Sequence, residues 1–361
     1  MNIILFDDPD IRESLLPLTF TRPVGAIRVG ILTIQEKWEK SLALPSSFLT
    51  QDYLKEKFPL NKSDENLWIN GSLCPDKSLL KAIDQLDQGQ GLVYNDLLIL
   101  AKSESAEVGA LEDLELKEYE EAITIINTPW SIFKKNAEQI KSDFELVTAN
   151  RQSAPLEDSH TIIYGKENVF IEEGARIKSA IINAENGPVY IGKNSYVHEG
   201  AIIKGSFALC EGSHVNMGAK IKGDSTIGPH SKVGGEVSNS VIFGYSNKGH
   251  DGFIGNTVIG EWCNLGADTN TSNLKNDYGN VKLWNYEQGG FKSTGETFCG
   301  LIMGDHAKCG INTMFNTGTV VGVSANIFGS GFPRNFVPSF SWGGAAGFTT
   351  YQPKKVAQVA E

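Results

Sequence analysis

The chain has 361 residues, 40% hydrophobic and 21% charged, which excludes a disordered or collagen-like polymer and leaves room for two domains. There is no run of ~18 apolar residues, which excludes a membrane-spanning helix, and the acidic start MNIILFDDPD has no basic n-region, so a signal peptide is not expected. Of the net charge of −11, residues 1–150 carry −10, with 15 Lys/Arg against 25 Asp/Glu, while 151–361 hold 17 against 18; this argues against nucleic acid as the main partner, since phosphate binding rests on basic surface.

Residues 1–150 alternate two signals. Short apolar runs at 2–6 (NIILF), 67–70 (LWIN), 92–100 (LVYNDLLIL) and 122–126 (AITII) read as strands. Helical spacing marks 32–43 and 77–88, and Thr128-Pro129 opens a helix over 129–141. Strand–helix alternation predicts an α/β domain with a mostly parallel sheet. Glycine then rises sharply: 6 of 38 lie in residues 1–150 and 32 beyond. The polar, Pro-containing stretch 151–160 reads as the linker. Five cysteines with no CxxC pair argue against a disulfide framework or a cysteine zinc site and predict a reduced, cytoplasmic compartment.

Residues 161–332 carry a repeat of six. Ile191, Val197, Ile203, Leu209, Val215, Ile221, Ile227 and Val233 are in step. A small residue follows four later in most hexads, at Ser195, Ala201, Ser213, Ala219, Ser225 and Ser231, with Val237 in that slot after Val233 and Phe207 the exception. After a phase slip come Val241, Asn247, Phe253, Ile259 and Leu265, and later Met303, Cys309, Phe315, Val321 and Ile327. One hexad supplies a short strand and a corner, three close a triangular coil, and stacked coils bury a ladder of like side chains. This predicts a left-handed parallel β-helix of about six regular coils, with less regular ones from Val169 to Ile182.

Residues 270–300 break the repeat and carry Lys275, Lys282 and Lys292 with Tyr278, Trp284 and Tyr286. The excursion reads either as a solvated loop or as one covering a ligand or reaching a neighbouring subunit. All six histidines fall outside the inward slots. His250 stands apart: its hexad NKGHDG places polar Asn247 in the inward position, and glycines flank the imidazole and Asp251. A repeat that gives up its core residue is serving something else, and an exposed imidazole can act as a general base. A three-histidine zinc site of the hydratase kind is not expected, because no two histidines lie about five apart. The tail 333–361, with Phe336, Phe340 and Trp342, is expected to pack on a neighbouring subunit.

The stretch HDGFIGNTVIGEWCNLGADTNTSNLK, His250 to Lys275, resembles the acetyltransferase half of the bifunctional N-acetylglucosamine-1-phosphate uridyltransferase/glucosamine-1-phosphate N-acetyltransferase family. Arg12 with LLPLTFTRP (Leu15–Pro23) looks like the start of a sugar nucleotidyltransferase, and the whole is similar to a variant, Bacteroidetes-like branch. The resemblance makes His250 the base that deprotonates a sugar amine. It sets Asn264 and Ala267 in a cleft for coenzyme A and acceptor, Asn273 on the acceptor sugar, and Lys275 or Lys282 at its phosphate. Lys222 falls in register with a phosphate-binding Arg and Glu236 with a substrate-contacting Glu. Phe253 replaces a Tyr, Ser238 a Lys and Asp268 a Gly of the family pattern, so the acceptor can differ from glucosamine-1-phosphate. In the first domain the glycine-rich triphosphate loop is replaced by FDDPDIR, residues 6–12. A different grip by Asp7 with Mg²⁺, Arg12 and Arg22 is one reading, and a non-catalytic domain is the other. Asn70-Gly71 reads equally as a base or sugar contact and as a turn.

The resemblance therefore implies a cytoplasmic homotrimer using acetyl-CoA and a sugar phosphate, and UTP with Mg²⁺ for any nucleotidyl transfer. Two alternatives stay open: nucleotidyl transfer alone with a structural, trimerising helix, and a non-catalytic nucleotide-sugar-binding protein.

Overall fold

The computed structural model describes residues 1–61, 63–105, 111 and 113–360. The chain forms two compact units. Met1–Leu15, Thr21–Ile27 and Leu32–Thr128 make the first; Leu16–Phe20, Arg28–Ile31 and Pro129–Glu361 make the second.

The first unit is an α/β domain on a six-stranded sheet, ordered Ser46–Leu49, Asn2–Phe6, Asn66–Asn70, Leu97–Ser103, Gln90–Tyr94, Glu115–Glu118. The first three strands run parallel, and Ile3, Ile4, Leu67, Trp68 and Ile69 are fully buried among them. The helix Ile34–Leu42 starts on a Thr33/Glu36 capping box and Lys77–Asp84 on the Asp76 side chain, each satisfying amides that the first turn leaves free. The run expected as one strand at 92–100 is instead an antiparallel hairpin. Asn95 and Asp96 both take positive φ, 50° and 65°, which suits a tight two-residue turn and which Asn and Asp tolerate better than other side chains.

The second unit is a left-handed parallel β-helix with three faces. Face 1 stacks nine strands from Val169–Ile171 to Phe336–Val337. Face 2 stacks ten from Arg176–Ile177, the last of which, Gly347–Thr350, turns back antiparallel on Ser341–Gly344. Face 3 stacks six from Ile162–Tyr164 to Phe253–Gly255, followed by Asn270–Thr271 paired with Met314–Phe315. The first hexad run points inward as expected, each member at most 2% exposed, and Ser195, Ala201, Ser213, Ala219, Ser225 and Ser231 are buried at the corners. Met303, Cys309, Phe315, Val321 and Ile327 also line the interior.

The second run departs from strict counting. Val237, expected at a corner, fills the inward slot below Ile254, and the next inward positions are Ile242, Lys248 and Ile254 rather than Val241, Asn247 and Phe253. Two shortened corners, four residues from Val233 to Val237 and five from Val237 to Ile242, shift the register by one more residue than a single slip provides.

Both ends of the β-helix differ from expectation. The stretch taken as a free linker is laid on the first coil: Arg151 pairs with Glu172 at 2.6 Å, the Ala154 amide donates to the Ile171 carbonyl at 2.8 Å, and Ala154 and Leu156 pack on the core. The expected tail continues the coils, since Phe336 and Val337 pair with Val320 and Val321, and Trp342 with Asn326. The helix Pro129–Thr148, read with the first domain, clusters with the second unit. Its Asn136 and Asp143 accept from the amides of Gly30 and Ile31 at 2.7 and 2.8 Å, and Thr226 Oγ1 on face 1 donates to the Gly30 carbonyl at 2.9 Å. All five cysteines are free and buried. Among the described residues, no helix is long and apolar enough to cross a membrane.

Candidate functional site

His250 occupies the corner between the face 2 strand Asn247–Lys248 and the face 3 strand Phe253–Gly255, and its side chain and that of Asp251 reach solvent. The corner is held from the coils on both sides. Asn216 Nδ2 donates to the Gly249 carbonyl at 2.7 Å, and the Asp268 amide donates to the Asp251 carbonyl at 3.1 Å. Gly252 takes φ +114°, and a Cβ there would collide with the Thr269 carbonyl, so only glycine closes this turn. The polar residue that the abnormal hexad sends inward is Lys248, 1% exposed; Asn247 faces out, directly below Asn264. Ala267 lies at the next corner up, beside Asp268, so His250 and Ala267 share one edge of the prism, with Asn264 on the adjoining face 2 strand.

Face 3 carries the next group. Lys222 Nζ pairs with Glu236 at 2.7 Å, and Glu236 sits in register with Phe253 on the following coil. Gly255 has no side chain, and the space is shared: a Cβ there would lie 2.6 Å from the tip of the Phe253 ring and 2.7 Å from Asn273 Nδ2. Phe253 thus lies along the strand toward Asn273, at the root of the excursion.

The excursion is a built element. It leaves after Thr271, folds into the hairpin Lys282–Asn285 with Gly290–Ser293, and returns at Cys299. Trp284 stacks on Phe336 at 4.1 Å between centroids and 8° between planes, and Tyr286 meets Phe336 and Phe20 edge-on. Beneath lies a cavity of about 990 Å³ whose walls include Lys275, Lys282 and Arg334 and a single carboxylate, Asp277, which pairs with Lys275 at 3.3 Å. Three cations against one carboxylate favour an anionic group such as a phosphate. Sequence reasoning missed Arg334. The one signal was a basic residue close to Phe336, and only the stacking of coils brings it opposite Lys275 and Lys282.

The residues proposed to grip a nucleotide in the first unit are turned into its fold. The Asp7 side chain is 3% exposed. It accepts from the Val24 amide at 2.8 Å and Thr50 Oγ1 at 2.6 Å, with Arg12 Nε 3.8 Å away. Burial raises its carboxyl above the usual range, against those hydrogen bonds and the Arg12 charge. A carboxyl so enclosed does not fit a Mg²⁺ ligand, which keeps open oxygens and several waters. Arg12 reaches Tyr53 Oη at 2.5 Å, and Arg22 is buried. Asn70 is 1% exposed: its amide donates to the Leu98 carbonyl, and its oxygen accepts from the amide and hydroxyl of Ser72. Gly71 donates to the Phe6 carbonyl. Asn70-Gly71 thus leads into a turn closed by groups of its own unit. Where a triphosphate cradle would stand, Asp8 caps the helix Pro9–Ser14 by accepting from the Asp10 and Ile11 amides, and a proline supplies no amide at the first position.

Residues 3–152 match the family described as sugar nucleotidyl transferase. The bifunctional protein GlmU of Methanococcus maripaludis (strain DSM 14266) is 31% identical over 250 residues, 66% of this chain and 53% of that protein. The bifunctional sugar-1-phosphate nucleotidylyltransferase/acetyltransferase of Sulfurisphaera tokodaii is 35% identical over 100 residues, 27% of this chain and 24% of that one. GlmU of Methanocaldococcus jannaschii is 38% identical over 87 residues, 24% and 21% of the two chains. The matched region thus spans about half the length of these curated relatives, or less. The crystal structure of the polySia-specific acetyltransferase NeuO aligns at a TM-score of 0.30 and 16% identity, over 54% of this chain and 83% of that one.

Proposed function

We propose, for a chain whose N-terminal domain is of the sugar nucleotidyl transferase family and which is homologous to bifunctional nucleotidyltransferase/acetyltransferase proteins, that the β-helix is an acyltransferase. It moves an acetyl group from acetyl-CoA to the amine of an amino-sugar phosphate such as glucosamine-1-phosphate, within UDP-N-acetylglucosamine-type cell-envelope precursor synthesis. The observation that carries this reading is the exposed His250 on its clamped corner, with Ala267 on the same edge, Asn264 on the adjoining face 2 strand and the cation-lined cavity beyond the face 3 strands.

In this reading the imidazole of His250 takes the proton of the attacking amine. A C–N bond forms at the acetyl carbonyl, the C–S bond breaks, and the thiolate of coenzyme A takes up the proton as free thiol. Asn273, Phe253 and Glu236 contact the acceptor, and Lys222 with Lys275 or Lys282 sets its phosphate. The His250 corner and the cavity lie at opposite ends of the face 3 strands, which supports an acceptor and a base that meet across copies of the chain; in this reading the assembly is a homotrimer and its compartment the cytoplasm.

For the first unit the reaction class is sugar-1-phosphate nucleotidyl transfer from UTP. One observation favours a second reading, in which this unit only binds or scaffolds: Asp8 fills the helix N-terminus with its own carboxylate, which leaves a triphosphate no free amides there.

The deciding experiment is thiol release from acetyl-CoA across a panel of amino-sugar phosphates. Turnover with one of them is expected, and none across the panel sinks the acyltransferase reading. Pyrophosphate release from UTP and N-acetylglucosamine-1-phosphate, run in parallel, separates a catalytic first unit from a scaffold.

A further inference from the structure

We propose that Lys248 is a positioning residue for His250: its ammonium group, enclosed in the prism, binds the backbone carbonyls of the corner and thereby fixes where the imidazole stands. This rests on the reading of His250 as the base.

The inward ladder of face 2 runs Ile177, Val197, Val215, Val233, then Lys248, then Leu265, Cys309 and Ile327. Every other member is an apolar side chain or a thiol, and Lys248 is 1% exposed. An aliphatic residue would satisfy the repeat at that slot, whereas a buried ammonium is strongly unfavourable unless its donors are hydrogen-bonded. Here its three N–H donors meet three carbonyls, those of His250 at 2.6 Å, Asp251 at 2.9 Å and Gly234 at 3.3 Å. Two of the three belong to the corner itself, so the peptide planes on both sides of Asp251 are held from inside.

That lock matters because of what surrounds it. Gly249 and Gly252 flank the histidine, and glycine leaves a chain more conformational freedom than any other residue. A corner built this way swings unless it is tied, and a misplacement of about 1 Å at a reacting group can cost ~10²-fold in rate. The neighbours that set the charge of Lys248 are the Asp251 and Asp268 carboxylates and the Cys309 thiol of the inward ladder; burial outweighs them and brings its pKa down to about 8. Loss of one proton leaves two donors for three carbonyls.

The test uses the full chain, with glucosamine-1-phosphate and acetyl-CoA as substrates and histidines labelled with ¹³C at Cε1. The His250 signal is the one missing from His250→Ala. Lys248→Met is expected to lower kcat about 10- to 100-fold, leave both KM values within about twofold, and split or broaden the His250 signal. Unchanged kcat with a single sharp His250 signal overturns the proposal. If His250→Ala keeps full turnover, the base reading fails on its own, and the line shape in Lys248→Met still decides whether the lock exists. If Lys248→Met does not fold, the native protein is titrated from pH 7 to 9.5: the His250 signal is expected to broaden as the ammonium deprotonates, and a constant line shape overturns the proposal.

Discussion

Asn273 donates from Nδ2 to Oδ1 of Asn256 at 2.8 Å, and the pair closes the neck of the excursion. The Asn256 carbonyl accepts from the Gly300 amide at 2.8 Å and the Asn273 carbonyl from the Cys299 amide at 2.9 Å, so the departing and returning strands meet on the same two residues. Asn256 also takes φ +48°, which asparagine tolerates and alanine does not without strain. Asn256→Ala is expected to destabilise the β-helix by roughly 1–3 kcal/mol and to raise KM for the acceptor. Asn256→Asp, which keeps the acceptor oxygen and tolerates the same φ, should retain most of both. Urea midpoints and steady-state kinetics of the two variants check this, and equal losses would contradict the clamp.

His250→Ala should lower acetyl transfer by ~10²–10⁴-fold, the usual worth of a positioned base, without altering the assembly. The corner is tied through backbone groups and through Asn216 and Lys248, none of which involves the imidazole. Thiol release and size-exclusion chromatography measure the two halves of this expectation. Full turnover in the variant would end the base assignment.

Asp7 separates a structural carboxyl from a metal ligand. Asp7→Asn keeps an oxygen for the Val24 amide and places an N–H against Thr50 Oγ1, so its cost should stay within about 1 kcal/mol, while Asp7→Ala should cost roughly 1–3 kcal/mol by stranding those partners. Any nucleotidyl transfer by the native protein should survive Asp7→Asn. Abolished transfer with unchanged stability would restore Asp7 to a metal site.

Lys248 predicts a pH dependence of stability. Its folded pKa of about 8 lies below the ~10.4 of an unfolded lysine, so between those values the unfolded chain binds more protons and stability rises with pH. The gain is bounded by roughly 3 kcal/mol. Urea midpoints of the native protein at pH 7.5, 8.5 and 9.5 should climb relative to those of Lys248→Met. Parallel curves would show that the ammonium is not disfavoured in the fold. Positioning of the corner runs the other way, so the charge that steadies His250 works against global stability.

The coils from Ile191 to Val233 were legible because a single rule, one aliphatic side chain every six residues, acts there without interruption. The rule lost register at Val237, where a corner is shorter by two residues and counting alone has no means of knowing which side of the chain is inside. His250 was still singled out, since its hexad is abnormal in either register, but the side chain responsible is Lys248 and not Asn247. The cavity was not legible in the same way: Lys275, Lys282 and Arg334 are separated by up to 59 residues and meet only through stacking. Asp7, Arg22 and Asn70 carried the right chemistry for a phosphate or metal, but all three are buried, and Asp7 and Asn70 spend their hydrogen bonds within their own unit.

The antiparallel strand Gly347–Thr350 has a consequence for growth of the stack. A parallel coil presents, at its open rim, a row of amides and carbonyls to which an identical coil from another molecule can add, and nothing in the repeat itself says where to stop. By reversing chain direction against Ser341–Gly344, this hairpin puts a mismatched template on the face 2 side of that rim and is expected to oppose end-to-end addition there. Deleting residues 346–361 should therefore yield a species that elongates end to end, visible as rods by electron microscopy.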